Sequence, residues 1–87
     1  MTRVELVANI RRKQSFLCVG LDTDPDRLPD VVRGEKDPVF AFNRRIVEAT
    51  HKYCVAYKLN LAFYERLGAR GWESLEKTLE IIPDDQF

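Results

Sequence analysis

Residues 16–22 read Phe-Leu-Cys-Val-Gly-Leu-Asp, a short apolar run that ends at an acidic residue. A continuous apolar run of this length is typical of a strand that is buried on both faces, as in a parallel sheet. A second run, Tyr-Cys-Val-Ala-Tyr at residues 53–57, ends at Lys58. The two runs align at an offset of 36 residues, a period that suits one strand–helix unit of a barrel.

The segment before the first strand is predicted to be a helix. Thr2 and Glu5 have the spacing of a capping box, and residues 11–13 place three cations in the last turn, where they suit the helix dipole. We interpret this basic triplet as a solvated helix end, with a phosphate contact as the alternative.

A loop and a second helix are predicted between the two strands. The loop starts at residue 22 and contains about one helical turn around residues 27–32, where prolines and charges are frequent. Asp37 followed by Pro38 is typical of a helix start, and this helix is expected to extend to about Lys52. Its buried face is predicted from apolar residues at helical spacing, namely Val39, Phe42, Ile46 and Ala49.

Two helices are predicted after the second strand. Asn60 can cap a short helix over residues 61–67, and Gly68 can end it. The last helix is expected over residues 72–82, before Pro83. Its predicted buried face consists of Trp72, Leu75, Leu79 and Ile82. Strands that alternate with helices in this way indicate an α/β fold with parallel strands and right-handed crossovers.

Size and charge exclude several classes of protein. The chain has 87 residues, enough for one small domain, whereas a complete (β/α)8 barrel needs about 250. Lys plus Arg and Asp plus Glu both total 14, so no net charge attracts nucleic acid or an anionic membrane. The apolar runs are too short to span a bilayer, and the N-terminus lacks the pattern of a secretory signal. We therefore expect a cytoplasmic protein with reduced thiols.

The two strand ends are the strongest candidates for a functional site. Ligands of α/β proteins bind outside the carboxyl ends of parallel strands, where Asp22 and Lys58 are expected. An acid and a lysine there could orient a polar ligand, although each charge could also simply mark where a strand meets water. The alternation of strand side chains groups Cys18 and Gly20 with Asp22, and Cys54 and Ala56 with Lys58. The two cysteines are expected to be small buried thiols without a disulfide.

Other candidates have ordinary structural interpretations. We interpret His51 as a helix-end histidine rather than a metal ligand or general base. Asp24, Asp26 and Asp30 lack the spacing of a calcium loop and are expected in a solvated loop. Residues 68–71 join two helices and do not form a phosphate loop. Packing roles are expected for three aromatic residues, Tyr57, Tyr64 and Trp72.

Three segments resemble orotidine 5′-phosphate decarboxylase in its longer bacterial type. Residues 16–25 resemble the first strand and following loop of that family, and residues 37–43 resemble the start of its next helix. Residues 56–65 resemble its second strand and the segment that follows. The similarity extends over nearly the whole chain, and one departure is Leu59, where the family pattern has proline.

The resemblance implies that residues 1–87 are the N-terminal part of a single TIM-barrel domain, with a leading helix and two βα units. The family converts orotidine 5′-phosphate to UMP and CO₂ in pyrimidine synthesis. It uses no cofactor and no metal, and it is often a homodimer. By this resemblance Asp22 would hydrogen-bond ribose hydroxyls. Lys58 would contact ribose and one carboxylate of a charged network, and Asn60 is a further substrate-binding candidate.

The family's proton donor is a different lysine, in an Asp-x-Lys-x-x-Asp motif on the third strand. The 87 residues contain no such motif, and Phe87 falls about where that strand would begin. We therefore expect the chain by itself to lack decarboxylase activity. We also expect it to be poorly stable alone, because open sheet edges and apolar faces would remain uncovered.

Two other classes of function remain open from the sequence. The chain could be a non-catalytic βα module that binds a phosphorylated metabolite, although it has no Gly-rich turn between a strand and a helix. It could also be a structural fragment that self-associates through exposed edges. A monomer that binds UMP would favour the module, and an oligomer blind to nucleotide would favour the fragment.

Overall fold

The computed structural model describes residues 2–86, so the position predicted to start a third strand, Phe87, lies outside the described residues. The elements are α1 Arg3–Lys13, β1 Cys18–Gly20, α2 Asp30–Arg33, α3 Pro38–Thr50, β2 Ala56–Lys58, α4 Leu61–Glu65 and α5 Ala69–Ile81, with a 3₁₀ turn at Pro25–Arg27. The predicted α/β class and the order of its elements are confirmed.

The two strands form a parallel sheet, as predicted. Cys18 lies opposite Ala56, and Gly20 lies opposite Lys58, so the register differs by two residues from the sequence repeat. The backbone N–H of Leu21 donates to the Lys58 carbonyl at 2.8 Å, which continues the pairing beyond β1. Each strand is shorter than the apolar run that predicted it.

The two faces of the sheet differ in burial. Leu21 and Tyr57 pack with Val47 of α3 in a buried cluster, which fixes the helix-facing side. The opposite face carries Cys18 and Gly20, and both residues are exposed. The prediction of burial on both faces is therefore wrong for β1, because none of residues 2–86 covers this second face.

The cysteines have different surroundings. Cys18 is exposed and Cys54 is fully buried, and both thiols are free. The prediction of two buried thiols is thus correct for Cys54 alone. Cys54 packs with Tyr57 rather than lying on the face of Lys58, because β2 begins at Ala56 and strand alternation does not extend back to it.

This difference predicts unequal thiol reactivity. We expect an aromatic disulfide reagent to modify Cys18 in native buffer at least about tenfold faster than Cys54, because attack on a thiol requires solvent access. Absorbance of the released thiolate measures both rates. Cys18→Ser should abolish the fast phase in native buffer. The remaining thiol, Cys54, should then react rapidly only when the chain is denatured. Two equal rates in the native chain would contradict the assignment.

A second buried cluster lies among the helices, and its members are Leu28, Val32, Val39, Ala41, Tyr64 and Leu75. The predicted buried faces of the two long helices are only partly correct. Ala49 is exposed in α3, and Trp72 and Leu79 are 45% and 55% exposed in α5. The buried face of α5 instead consists of Gly71, Ser74, Leu75 and Thr78.

Two glycines explain the orientation of α5. Gly68 has φ of 68°, in the left-handed region, and turns the chain between α4 and α5, as its predicted role as a helix stop requires. Gly71 lies against α4 so closely that a Cβ on it would be 1.8 Å from the carbonyl oxygen of Tyr64. α5 therefore buries a face of mostly small residues. This face is shifted by about one residue from the apolar face that the sequence predicted.

α1 begins at the predicted capping box. The side chain of Thr2 accepts from the Glu5 backbone N–H, and the Glu5 carboxylate accepts from the Thr2 N–H. At the other end, Lys13 Nζ donates to the carbonyl oxygens of His51 and Cys54 at 2.8 and 2.9 Å. The interpretation of the basic triplet as a solvated end is therefore wrong for Lys13, which caps carbonyls that end α3 and precede β2.

The last described residues fold back onto the first helix. Asn9, the buried residue of α1, donates through Nδ2 to the Asp85 carbonyl, and Arg12 forms a 3.0 Å ion pair with the Asp85 carboxylate. Gln86 donates to the His51 carbonyl at 2.9 Å and is buried. These contacts link the two ends of the described chain.

Asp37 caps α3 as predicted. Its carboxylate accepts from the Phe40 backbone N–H at 3.1 Å, from Ser74 Oγ at 2.8 Å and from Lys77 Nζ at 3.1 Å. Partial burial by itself raises the pKa of Asp37, but these hydrogen bonds and the charge of Lys77 outweigh burial and hold the pKa below its ordinary value. The residue thus joins the start of α3 to α5 through its ionised form.

The lowered pKa predicts how Asp37 affects stability with pH. A carboxyl group whose pKa is lower in the folded chain stabilises the fold at pH values above its ordinary pKa of 3.8. This stabilisation is lost as the pH falls through the lowered pKa. We expect Asp37→Asn to lower the urea midpoint at pH 7, with the difference from wild type narrowing below about pH 4. Circular dichroism in urea at several pH values measures this. If the two urea midpoints differed by the same amount at every pH, the charge of Asp37 would not contribute to stability.

Candidate active site

Asp22 and Lys58 meet at the carboxyl edge of the sheet, as the sequence predicted. Lys58 Nζ lies 3.8 Å from Asp22 Oδ2, and the Lys58 side chain is 67% exposed against 33% for Asp22. The distance allows electrostatic attraction but is too long for a hydrogen bond. Both groups therefore keep free hydrogen-bonding capacity that a polar ligand at this edge could use.

Asn60 completes the cluster through its backbone. Its N–H donates to Asp22 Oδ1 at 3.0 Å, and its side-chain oxygen accepts from the Ala62 N–H, which confirms it as the cap of α4. The strand pairing explains this geometry, because the bond from Leu21 N to the Lys58 carbonyl holds the two strand ends side by side. One carboxylate oxygen is thus fixed by Asn60, and the other faces the Lys58 ammonium.

A buried polar network behind Asp22 was not predicted from the sequence. The hydroxyl of Thr23 donates to Asn43 Oδ1 at 2.5 Å, and Asn43 Nδ2 donates to the Tyr64 hydroxyl and to Thr78 Oγ1, both at 3.0 Å. All four residues are at most 5% exposed. One sequence signal was available: Asn43 lies four residues from both Val39 and Val47, which places an amide on the buried face of its helix.

Tyr64 connects this network to the strand end. Its hydroxyl donates to the Leu21 carbonyl at 2.6 Å. Burial raises the pKa of Tyr64, and the negative charge of Asp22 adds to this, against the hydrogen bonds with Asn43 and Thr23, which lower it. The hydroxyl consequently remains protonated at neutral pH and available as a donor. The predicted packing role of Tyr64 is confirmed, and the hydrogen bonds add a polar role.

The acidic loop does not form a cation site. Asp24 caps the 3₁₀ turn and pairs with Arg66 at 2.9 Å, while Asp26 lies 3.9 Å from the same guanidinium. The prediction of a solvated loop is correct for Asp26; Asp30 is exposed but begins α2, and Asp24 is half-buried by its pair with Arg66. Within residues 2–86, no three His, Cys, Asp or Glu side chains are grouped so that they could hold a metal ion. Over the same residues, no helix combines the length and apolarity needed to cross a membrane.

The remaining candidates have structural surroundings. His51 caps the end of α3, as predicted. The prediction that residues 68–71 join two helices is correct for Gly68 alone, which caps α5; residues 69–71 form the first turn of α5, which therefore begins three residues earlier than predicted. Tyr57 is buried, and burial together with a hydrogen bond to Cys54 raises its pKa to about 12, against a lowering bond to Thr50. The expected packing role is wrong for Trp72, which is 45% exposed because α5 turns its small residues inward.

A cavity of about 660 Å³ lies away from the strand ends, between the start of α3 and α5. Its charged lining includes Asp37, Lys77 and Arg66. Lys77 is paired with Asp37, and Arg66 is paired with Asp24. The lining also carries Lys36, Arg70 and Glu73, so its charges are only partly paired, but none of the lining residues belongs to a strand. Ligands of α/β proteins bind outside the carboxyl ends of strands, so the edge with Asp22 remains the better candidate for chemistry.

The sequence is similar to decarboxylases of known name over most or all of its length. No family model matches the sequence. Orotidine 5′-phosphate decarboxylase of Christiangramia forsetii is 60% identical over 82 residues, which is 94% of this chain and 30% of the relative. The protein of the same name from Bacteroides fragilis is 54% identical over 90 residues, or 100% of this chain and 33% of the relative. The chain resembles an N-terminal portion of orotidine 5′-phosphate decarboxylase.

Solved structures support the same family. A crystal structure from Toxoplasma gondii, assigned as an orotidine-monophosphate decarboxylase, has a TM-score of 0.83 and 36% identity over 95% of this chain and 28% of its own. The Leishmania donovani OMP decarboxylase has a TM-score of 0.70 and 34% identity over 98% and 30%. The fold is therefore that of an N-terminal part of the decarboxylase TIM barrel. The chain spans about a third of the length of the curated decarboxylases that it matches.

Proposed function

We propose that residues 1–87 act as the N-terminal part of a single-domain orotidine 5′-phosphate decarboxylase. The observation that supports this most is the juxtaposition of Asp22 and Lys58 at the carboxyl edge, in a chain similar to these decarboxylases over its whole length. The enzyme would convert orotidine 5′-phosphate to UMP and CO₂ without a cofactor. We place the reaction in the cytoplasm and expect a homodimeric parent enzyme, as in the family.

In this proposal the carboxyl edge binds the ribose of the substrate. Asp22 accepts hydrogen bonds from ribose hydroxyls, for which Oδ2 is suitably placed because Oδ1 is already bonded to the Asn60 N–H. Lys58 donates to ribose and to a carboxylate of the charged network, since its ammonium lies 3.8 Å from Asp22 and is largely exposed. Asn60 contributes by fixing Asp22 through its backbone and by starting α4 at the correct place.

The chemical step requires groups that these 87 residues do not supply. The bond between C6 of the pyrimidine and its carboxylate breaks, its electron pair stays on C6, and CO₂ leaves. A lysine ammonium then protonates C6, and in the family that lysine belongs to the Asp-x-Lys-x-x-Asp motif, which is absent from this sequence. Lys58 therefore acts as a supporting charge that stabilises the site electrostatically, rather than as the proton donor.

A chimeric enzyme tests the proposal. These 87 residues replace the matching segment of the C. forsetii decarboxylase, and UMP formation is followed by the change in pyrimidine absorbance. We expect kcat/KM within about tenfold of the parent enzyme, because the segment would supply equivalent contacts. The isolated chain should form no UMP. A folded chimera without activity, or a catalytically active isolated chain, would contradict the proposal. UMP binding by the isolated monomer with an inactive chimera would favour the binding-module alternative.

A further inference from the structure

We infer that the buried network of Thr23, Asn43 and Tyr64 is a positioning device that holds the backbone around Asp22, so that its carboxylate stays aligned with Lys58 and Asn60. The effect of this alignment on catalysis rests on the proposed function. The alignment itself can be tested without substrate, and nothing in the relatives' names assigns a role to these three residues.

The network holds the chain on both sides of Asp22. On the N-terminal side, the Tyr64 hydroxyl donates to the Leu21 carbonyl at 2.6 Å. On the C-terminal side, the Thr23 hydroxyl donates to Asn43 Oδ1 at 2.5 Å. Both residues that flank Asp22 are also buried, at 2% and 5% exposure, whereas Asp22 itself is exposed. The carboxylate thus projects to the surface from a backbone that is anchored below it.

The hydrogen bonds of Asn43 have one consistent direction. Its Oδ1 accepts from Thr23, so its Nδ2 must be the donor to Tyr64 and Thr78. The Tyr64 oxygen therefore accepts from Asn43 and uses its own proton for the Leu21 carbonyl. The two amide protons of Asn43 go to Tyr64 and Thr78, and the hydroxyls of Thr23 and Tyr64 each donate to one acceptor, which gives the network one low-energy arrangement.

The same amide joins three helical elements to the strand end. Asn43 lies on α3, Tyr64 on α4 and Thr78 on α5, and Thr78 passes its own proton to the Ser74 carbonyl at 2.7 Å. Within residues 2–86 no buried side-chain nitrogen or oxygen lacks a partner. The position of Asp22 is therefore held by hydrogen bonds to three packed helices as well as by the pairing of the short strand.

The energetic cost of burying polar groups favours a positioning role for the network over simple filling of the core. A buried hydroxyl or amide must be matched by partners, and an apolar side chain of similar shape would fill the same space without that requirement. Two of the network's hydrogen bonds end on the residues that flank Asp22, one at the Leu21 carbonyl and one at the Thr23 side chain. Misplacement of a binding group by about 1 Å can lower the rate of an enzyme by about a hundredfold.

Matched variants test the inference. Thr23→Val removes the hydroxyl and keeps the shape, whereas Thr23→Ser keeps the hydroxyl. Tyr64→Phe removes the other contact, and Tyr57→Phe is its control, because the Tyr57 hydroxyl bonds to Thr50 and the Val47 carbonyl instead. The first readout is the amide proton shift of Asn60, which reports its bond to Asp22, in the [¹⁵N]Asn-labelled chain. The second is kcat/KM of the C. forsetii chimera.

We expect Thr23→Val and Tyr64→Phe to shift the Asn60 amide proton upfield and to lower kcat/KM by about ten- to a hundredfold. Thr23→Ser and Tyr57→Phe should leave the Asn60 shift and kcat/KM within about twofold of wild type. An unchanged Asn60 shift in both Thr23→Val and Tyr64→Phe would overturn the inference. If the wild-type chimera is inactive, the proposed function fails, and the Asn60 shift alone then decides whether the network positions Asp22.

Discussion

Replacing Gly71 with alanine is expected to disrupt the packing of α5 on α4 and to destabilise the chain by about 3 kcal/mol or more. A Cβ at this position would lie 1.8 Å from the Tyr64 carbonyl oxygen and 2.8 Å from its carbonyl carbon. Backbone atoms cannot rotate away as a flexible side chain can, so α5 must move. The loss is large compared with the total stability of a domain, which is about 5–15 kcal/mol.

Gly34→Ala is the matched control. No atom lies within 4 Å of a Cβ built on Gly34, whose φ is −81°, so alanine is acceptable there. Urea titration followed by circular dichroism and by Trp72 fluorescence measures both variants. We expect a lower midpoint and a smaller helical signal for Gly71→Ala, and no appreciable change for Gly34→Ala. Equal midpoints for the two variants would show that the helices do not approach as closely as the structure indicates.

Lys58→Ala is expected to lower kcat/KM of the chimeric decarboxylase by about a thousandfold, because it removes a fixed positive charge from the substrate side of the site. The stability of the chimera should change little, since the Lys58 side chain is 67% exposed and its pair with Asp22 is 3.8 Å long. Lys58→Arg should recover only part of the activity, because a planar guanidinium does not occupy the place of an ammonium.

Lys52→Ala removes an exposed lysine that precedes β2 rather than ending it, and provides the control. We expect its kcat/KM to stay within about twofold of the unmodified chimera. Initial rates over a range of orotidine 5′-phosphate concentrations, with thermal denaturation of each variant, separate loss of function from loss of fold. A similar decrease of kcat/KM in Lys58→Ala and Lys52→Ala would show that Lys58 has no specific role in the site.

The elements that depend on local chemistry were predictable. The capping residues Thr2, Asp37 and Asn60 each hold the backbone N–H that their spacing implied. The two apolar runs with charged ends correctly predicted parallel strands whose ends meet at Asp22 and Lys58. The caps are set by a few neighbouring residues, and the meeting of Asp22 with Lys58 follows from the parallel pairing of the two runs.

Features that depend on packing were not predictable in the same way. The apolar pattern placed Trp72 inward, but Gly71 permits a closer approach by the adjacent face, and Trp72 turns outward. The exposure of Cys18 depends on what covers the sheet, which the run itself does not encode. The network around Asn43 needs partners from separate helices, and single polar residues give no pairing signal.

The contacts of Asp85 with Asn9 and Arg12 have a consequence for the order of folding. α1 precedes the other described elements, and Asn9 and Arg12 each bond to Asp85, more than seventy positions later in the chain. Lys13, at the end of the same helix, bonds to the carbonyls of His51 and Cys54, which lie 38 and 41 positions later. Closing such a long loop is entropically costly and slow relative to local helix formation. On the ribosome, therefore, α1 is expected to dock in two stages: Lys13 can bond once the residues before β2 have emerged, whereas the bonds of Asn9 and Arg12 form only after residue 85 has emerged.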